Sequence, residues 1–151
     1  MIKEKEILLI QEKWRKGVIE IGRLKDDFDT CRAFTESFIN QLYAFDYGKV
    51  LFKPTKASKK QFRLDKKAAL SYFIGRDTKY QEDTGFALNP WADIRFENID
   101  IILEENRAIA MGNYYFADSK GSVVKIEYTF CYKKCSDGLR IDLHHSSFPY
   151  K

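Results

Sequence analysis

Residues 123–133 alternate without a break: Val124, Ile126, Tyr128, Phe130 and Tyr132 take one phase, and Val123, Lys125, Glu127, Thr129, Cys131 and Lys133 the other. Successive side chains of a strand point to opposite faces, so this is an antiparallel strand with one buried face and one open face. Such a strand needs paired neighbours and an apolar cover. The rest of the chain supplies both. Ser136, Asp137 and Gly138 turn it into a last strand, Leu139 to Ser147. Before it, Asp118 to Gly121 turn back to a strand from Arg107 to Ala117, and Glu104 to Asn106 to another. In that earlier strand Ile94 and Phe96 hold one phase while Ile99, Ile101 and Leu103 hold the next, so a bulge is expected near Asn98.

The cover comes from the N-terminal half. Ile7, Ile10, Trp14, Val18 and Ile21 recur at spacings of three and four between Lys3 and Gly22, the stripe of an amphipathic helix that Gly22 ends. Asp26 or Asp27 caps a second helix with the stripe Phe28, Cys31, Thr35, Phe38, Leu42 and Phe45, ended near Gly48. Val50 to Phe52 form a short strand stopped by Pro54. A basic loop, Thr55 to Arg63, leads to a third helix, Lys66 to Ile74, capped by Asp65 and closed by Gly75, with Ala69, Tyr72 and Phe73 facing inward. Helices first and strands after is an α+β order.

Several classes are set aside. With 26 basic and 22 acidic residues the net charge is +4, and the basic cluster from Lys53 to Lys67 reads as a solvated loop, not a nucleic-acid surface. No apolar run approaches the length that spans a membrane. Three cysteines, Cys31, Cys131 and Cys135, are too sparse for a disulfide framework and fit a reducing, cytoplasmic compartment. Phosphate-binding glycine loops and nucleophile elbows are absent. His144 and His145 are the only histidines. Adjacent on a strand, they point to opposite faces and are ill placed to share an ion, so no metal is expected. Counted from Ile141 and Leu143, the alternation puts His145 and Ser147 on the core-facing side, where a strand leaving the core lines a pocket. A His near a Ser at a strand end is also an ordinary hydrogen-bonded core pair.

The order of elements, and a turn with Asp137-Gly138 followed by a strand ending in His-x-Ser and Pro, resembles the association domain of calcium/calmodulin-dependent kinase and the wider NTF2-like superfamily. That resemblance implies a single domain over 1–151, an NTF2-like (cystatin-like) cone in which N-terminal helices pack into a curved antiparallel sheet. It also implies a homodimer or larger assembly through the outer sheet face. A narrower resemblance rests on six blocks: Phe52 to Ala57, Ala69 to Phe73, Glu82 to Trp91, Ala110 to Phe116, Glu127 to Phe130 and His144 to Tyr150. Together these resemble the iota class of carbonic anhydrase. The implied activity is reversible hydration of CO2 without metal or other cofactor, bicarbonate being held by Thr, Tyr and Ser side chains near a His. By motif these are Thr55, Tyr72, Ser147 and His145. The alternative is a non-catalytic association or ligand-binding module of the same fold. Convergence of the site residues on one small pocket separates the two.

Overall fold

The computed structural model describes all 151 residues. Helix α1 runs Glu4–Arg23 and helix α2 Phe28–Leu42, followed by strand β1 Leu51–Lys53, helix α3 Lys66–Ile74, two short 3-10 turns, and strands β2 Trp91–Leu103, β3 Arg107–Asp118, β4 Val123–Cys135 and β5 Gly138–Ser147. The five strands form one mixed sheet in the order β1-β5-β4-β3-β2, antiparallel except for β1, which runs parallel to β5 along one edge. No helix is long and apolar enough to cross a membrane.

The stripe of α1 lies on the concave face as its spacing predicts: Ile7, Ile10, Trp14, Val18 and Ile21 are all buried. Fully burying each such side chain stabilises the fold by about 1.5–3 kcal/mol. Gly22 does not end this helix, which continues to Arg23. It sits inside because a β-carbon there would lie 2.9 Å from the Ala87 carbonyl oxygen, so its lack of side chain serves a close approach instead. Asp27 caps α2, its carboxylate accepting from the Thr30 amide, and Asp65 caps α3 by accepting from the Ala68 amide at 2.8 Å.

Helix α2 stops at Leu42, earlier than the stripe through Phe45 predicts. Tyr43 is already extended and bridges Ile141 of β5, with the Ala44 amide donating to the Ile141 carbonyl at 2.8 Å. That early stop sends the Tyr43 side chain under the sheet instead of along a helix flank. The phase change in β2 is where expected: Ile99 is the extra residue between the pairs Asn98↔Gly112 and Asp100↔Met111. Gly112 opposite permits it, since a β-carbon would fall 2.0 Å from the Glu97 carbonyl oxygen.

A second irregularity was not expected. In β5, Ile141 pairs with Tyr132 and Leu143 with Cys131, leaving Asp142 as one extra residue. The bulge inverts the alternation beyond it. Ile141, His144 and Ser146 are buried on the concave side, and His145 and Ser147 point to the outer face.

Candidate active site

The bulge at Asp142 corrects the sequence reading of the last strand. His145 is exposed and, with Ser147, lines a depression of the outer sheet face beside Met111, Asn113, Glu127 and Thr129. The Ser147 hydroxyl faces the Glu127 carboxylate at 3.4 Å. Neither residue joins Thr55 or Tyr72. Their neighbours one step back in the chain, His144 and Ser146, do.

Beneath the sheet four segments bring hydroxyl groups together. Tyr72 comes from α3, Tyr114 from β3, Ser146 from β5 and Thr55 from the loop after β1. Tyr72, Tyr114, His144 and Ser146 are nearly sealed from solvent, whereas Thr55 is half-buried at their margin. Tyr114 and Ser146 hydroxyls are in close contact, and each lies 3.0 Å from His144 Nε2. The Lys56 amide donates to the Tyr72 hydroxyl at 3.2 Å. Burial raises the pKa of both Tyr72 and Tyr114. The nearby Thr55 hydroxyl opposes part of that effect at each. Both tyrosines therefore stay protonated and serve as hydrogen-bond donors at any physiological pH.

Aromatic faces wall the cluster. Phe52 stacks on the His144 ring at 4.8 Å between centroids, Phe130 meets it at 4.2 Å, Trp14 stacks on Tyr114 at 5.5 Å and Phe86 on Tyr72 at 5.5 Å. On the other side of the imidazole, Nδ1 lies 2.9 Å from the Tyr43 hydroxyl, which accepts from Trp14 Nε1–H at 3.0 Å. Burial holds the His144 pKa well below the ordinary histidine value, with the nearby His145 adding to the shift. Nowhere do three His, Cys, Asp or Glu side chains come together in a way that would hold a metal ion.

The loop that carries Thr55 is pinned rather than free. Glu82 accepts from the amides of Ser58, Lys59 and Lys60, and these bonds, that of Lys60 first, lower its pKa to about 2. Arg63, fully buried, makes a two-pronged pair with Asp83 at 2.7 Å on each arm and donates to the carbonyls of Lys60 and Ala68. Ser71 donates to the same Asp83 carboxylate at 2.6 Å. The basic loop is thus tied to the start of α3, and the Lys56 amide next to Thr55 is held on the Tyr72 hydroxyl.

The sequence reading missed Tyr114, His144 and Ser146. A signal for Tyr114 exists in the inward row of β3, Ala108, Ala110, Gly112, Tyr114 and Phe116. Tyr114 is the first large residue of that row, and its ring stacks on Trp14 of α1.

Residues 5–148 match the family described as metal-independent carbonic anhydrase. The metal-independent carbonic anhydrase of Nostoc sp. strain PCC 7120 is 37% identical over 154 residues, covering 99% of this chain and 75% of that protein. Among solved structures, a cyanobacterial iota-carbonic anhydrase complexed with bicarbonate superposes with a TM-score of 0.95 at 36% identity, over 99% of this chain and 94% of that one. A protein from Xanthomonas campestris described as a calcium/calmodulin-dependent protein kinase II association domain gives 0.67 at 20% identity, over 100% and 91%. At that identity, as with other NTF2-like proteins of lower identity still, the likeness shows the fold alone.

Proposed function

This chain belongs to the metal-independent carbonic anhydrase family, and from that premise we propose that the buried hydroxyl cluster is where it hydrates CO2. The reaction is reversible hydration to bicarbonate, CO2 + H2O giving HCO3− and H+. Thr55 and Tyr72 keep the roles that the motifs imply for them, and Ser146 and His144 take those assigned by motif to Ser147 and His145.

One observation carries the reading. Hydroxyls from four separate segments meet within aromatic walls, and the relative of nearly identical fold is a bicarbonate complex. CO2 is apolar overall and is held by the faces of Phe52, Phe86 and Trp14. Bicarbonate carries its charge on its oxygens, where Tyr72, Thr55 and whichever hydroxyl of the Tyr114–Ser146 pair is not donating to its partner offer fixed O–H donors in a site poor in water. Donors fixed where charge develops stabilise the transition state without having to reorganise. The broad depressions of the surface, about 1060, 430 and 450 Å³, are lined by other residues.

Stopped-flow CO2 hydration by chelator-treated protein, with metal content measured in the same sample, tests the assignment. Activity is expected to survive metal removal. Tyr72→Phe and Ser146→Ala are each expected to lose on the order of tenfold to a thousandfold while the fold is kept. Loss of activity with the metal, or full activity in both variants, refutes the site. The protein is proposed to be cytoplasmic, in keeping with three free cysteines. It is also proposed to be a homodimer through the outer sheet face, where Ile99, Ile102, Met111 and Val123 are exposed. Light scattering on the same sample is expected to give twice the chain mass, and a monomer mass removes the dimer.

A further inference from the structure

The hydrogens of the cluster can be placed from donor and acceptor capacity alone. An indole N–H only donates, so Trp14 gives its hydrogen to the Tyr43 oxygen. The Tyr43 hydroxyl is buried and must send its own hydrogen to an acceptor, and the one within reach is His144 Nδ1 at 2.9 Å. Nδ1 is therefore unprotonated, and the neutral ring carries its hydrogen on Nε2. That hydrogen points at the Tyr114 and Ser146 oxygens, both 3.0 Å away. On the far side, Tyr72 already accepts from the Lys56 amide, leaving its own hydrogen for a ligand. From Trp14 through Tyr43 and His144 the hydrogens run toward the Tyr114–Ser146 pair.

Resting on the proposed hydration site, we propose that Trp14 and Tyr43 are positioning residues that hold His144 as the Nε2–H tautomer. His144 then acts as a donor that aims the Tyr114–Ser146 pair at the oxygens of bicarbonate, and not as the base that takes the proton of water. In the forward step the water oxygen bonds to carbon, and one C–O π pair moves onto an oxygen held by the hydroxyl donors. The released proton passes to a second water and on to a solvent buffer base such as phosphate. The groups that face the ring are Tyr43 from the end of α2, Tyr114 from β3 and Ser146 from β5. Phe52, Phe130 and Trp14 cover its carbon faces, and no carboxylate is among its contacts. A second proton on the ring would set Nδ1–H against the Tyr43 hydrogen, so the geometry opposes the cation.

The test is the imidazole nitrogen spectrum of 15N-histidine-labelled protein between pH 5 and 8, with His145→Gln used to assign the two rings. His144 is expected to give a pyridine-like Nδ1 and a protonated Nε2 that do not titrate. Tyr43→Phe is expected to mix the two tautomers of His144 and to lower kcat by on the order of ten- to a hundredfold with KM little changed. Trp14→Phe, which keeps the ring and removes the N–H, is expected to move both readouts the same way by less. A wild-type His144 with its hydrogen on Nδ1, or one that titrates near neutrality, overturns the proposal even if Tyr43→Phe fails to fold. So does a folded Tyr43→Phe protein with unchanged nitrogen shifts. The spectrum needs no turnover, so absence of CO2 hydration would sink the functional reading while leaving the tautomer decided on its own evidence.

Discussion

His144 enters the folded core uncharged because burial strips water from an imidazolium and no carboxylate replaces it. An unfolded chain lets the same residue titrate near its ordinary value of about 6.5. Between that value and the lower folded one, the unfolded state binds a proton that the native state refuses. Stability therefore falls as pH drops below about 6.5, by at most ~1.4 kcal/mol per pH unit for this one group. Urea unfolding of the wild type and of His144→Gln across pH 7.5 to 5.5 is expected to show their stabilities approaching one another toward acid. Parallel profiles would mean that His144 is not held neutral. The two adjacent histidines also make a paired kinetic prediction. His144→Ala is expected to cost kcat/KM on the order of a hundredfold or more, since it removes the donor behind Tyr114 and Ser146. His145→Ala, on the outer face, is expected to stay within about threefold. Stopped-flow rates in the reverse order would place the site on the wrong side of the sheet.

At the level of elements, one extra residue decides which histidine faces the site. The bulge in β2 is legible in the sequence because apolar residues flank it on both sides, Ile94 and Phe96 before and Ile101 and Leu103 after, so the change of phase shows in the pattern. The bulge in β5 is not. Leu143 follows it on the outer face, half-buried, and so imitates a continuation of the phase set by Ile141. The capping aspartates, the stripe of α1 and the inward side of Tyr72 were readable because each depends on local chemistry. The face of His144 depends on a register set by pairing with β4, which no residue of β5 announces. Asp142 is held in its place by a two-pronged pair with Arg107, at 2.7 and 2.9 Å. Deleting Asp142 would leave Ile141 opposite Tyr132 and Leu143 opposite Cys131 with nothing between, a regular ladder. The deletion is thus expected to keep His144 and Ser146 inward and to retain most activity, at a stability cost of about 1 kcal/mol for the lost, partly exposed ion pair. A dead but folded deletion variant would refute this account of the register.

Across the whole molecule, the helices form a cover and the strands a floor, with the site at the edge where β1 lies against β5. The α+β order and the cone were recoverable because the two hydrophobic periodicities occupy separate halves of the chain. The parallel β1–β5 edge was not, because three residues carry no period of their own. That edge sets when the site comes into being. Phe52 stacks on His144 across a parallel pairing, and the Tyr43 contact to the same ring joins residues 101 positions apart. Closing such loops costs chain entropy before any contact returns it, so high-contact-order pairings complete late in folding. The hairpins β2–β3, β3–β4 and β4–β5 are local and can precede it. After dilution from denaturant, far-ultraviolet circular dichroism should therefore report early strand formation, while CO2 hydration returns only with the slowest refolding phase. Activity recovered in step with the first phase would show the edge forming early. On a ribosome the same ordering has a plain outcome: a nascent chain that has not yet gained β5 lacks His144 and Ser146 and therefore lacks the site.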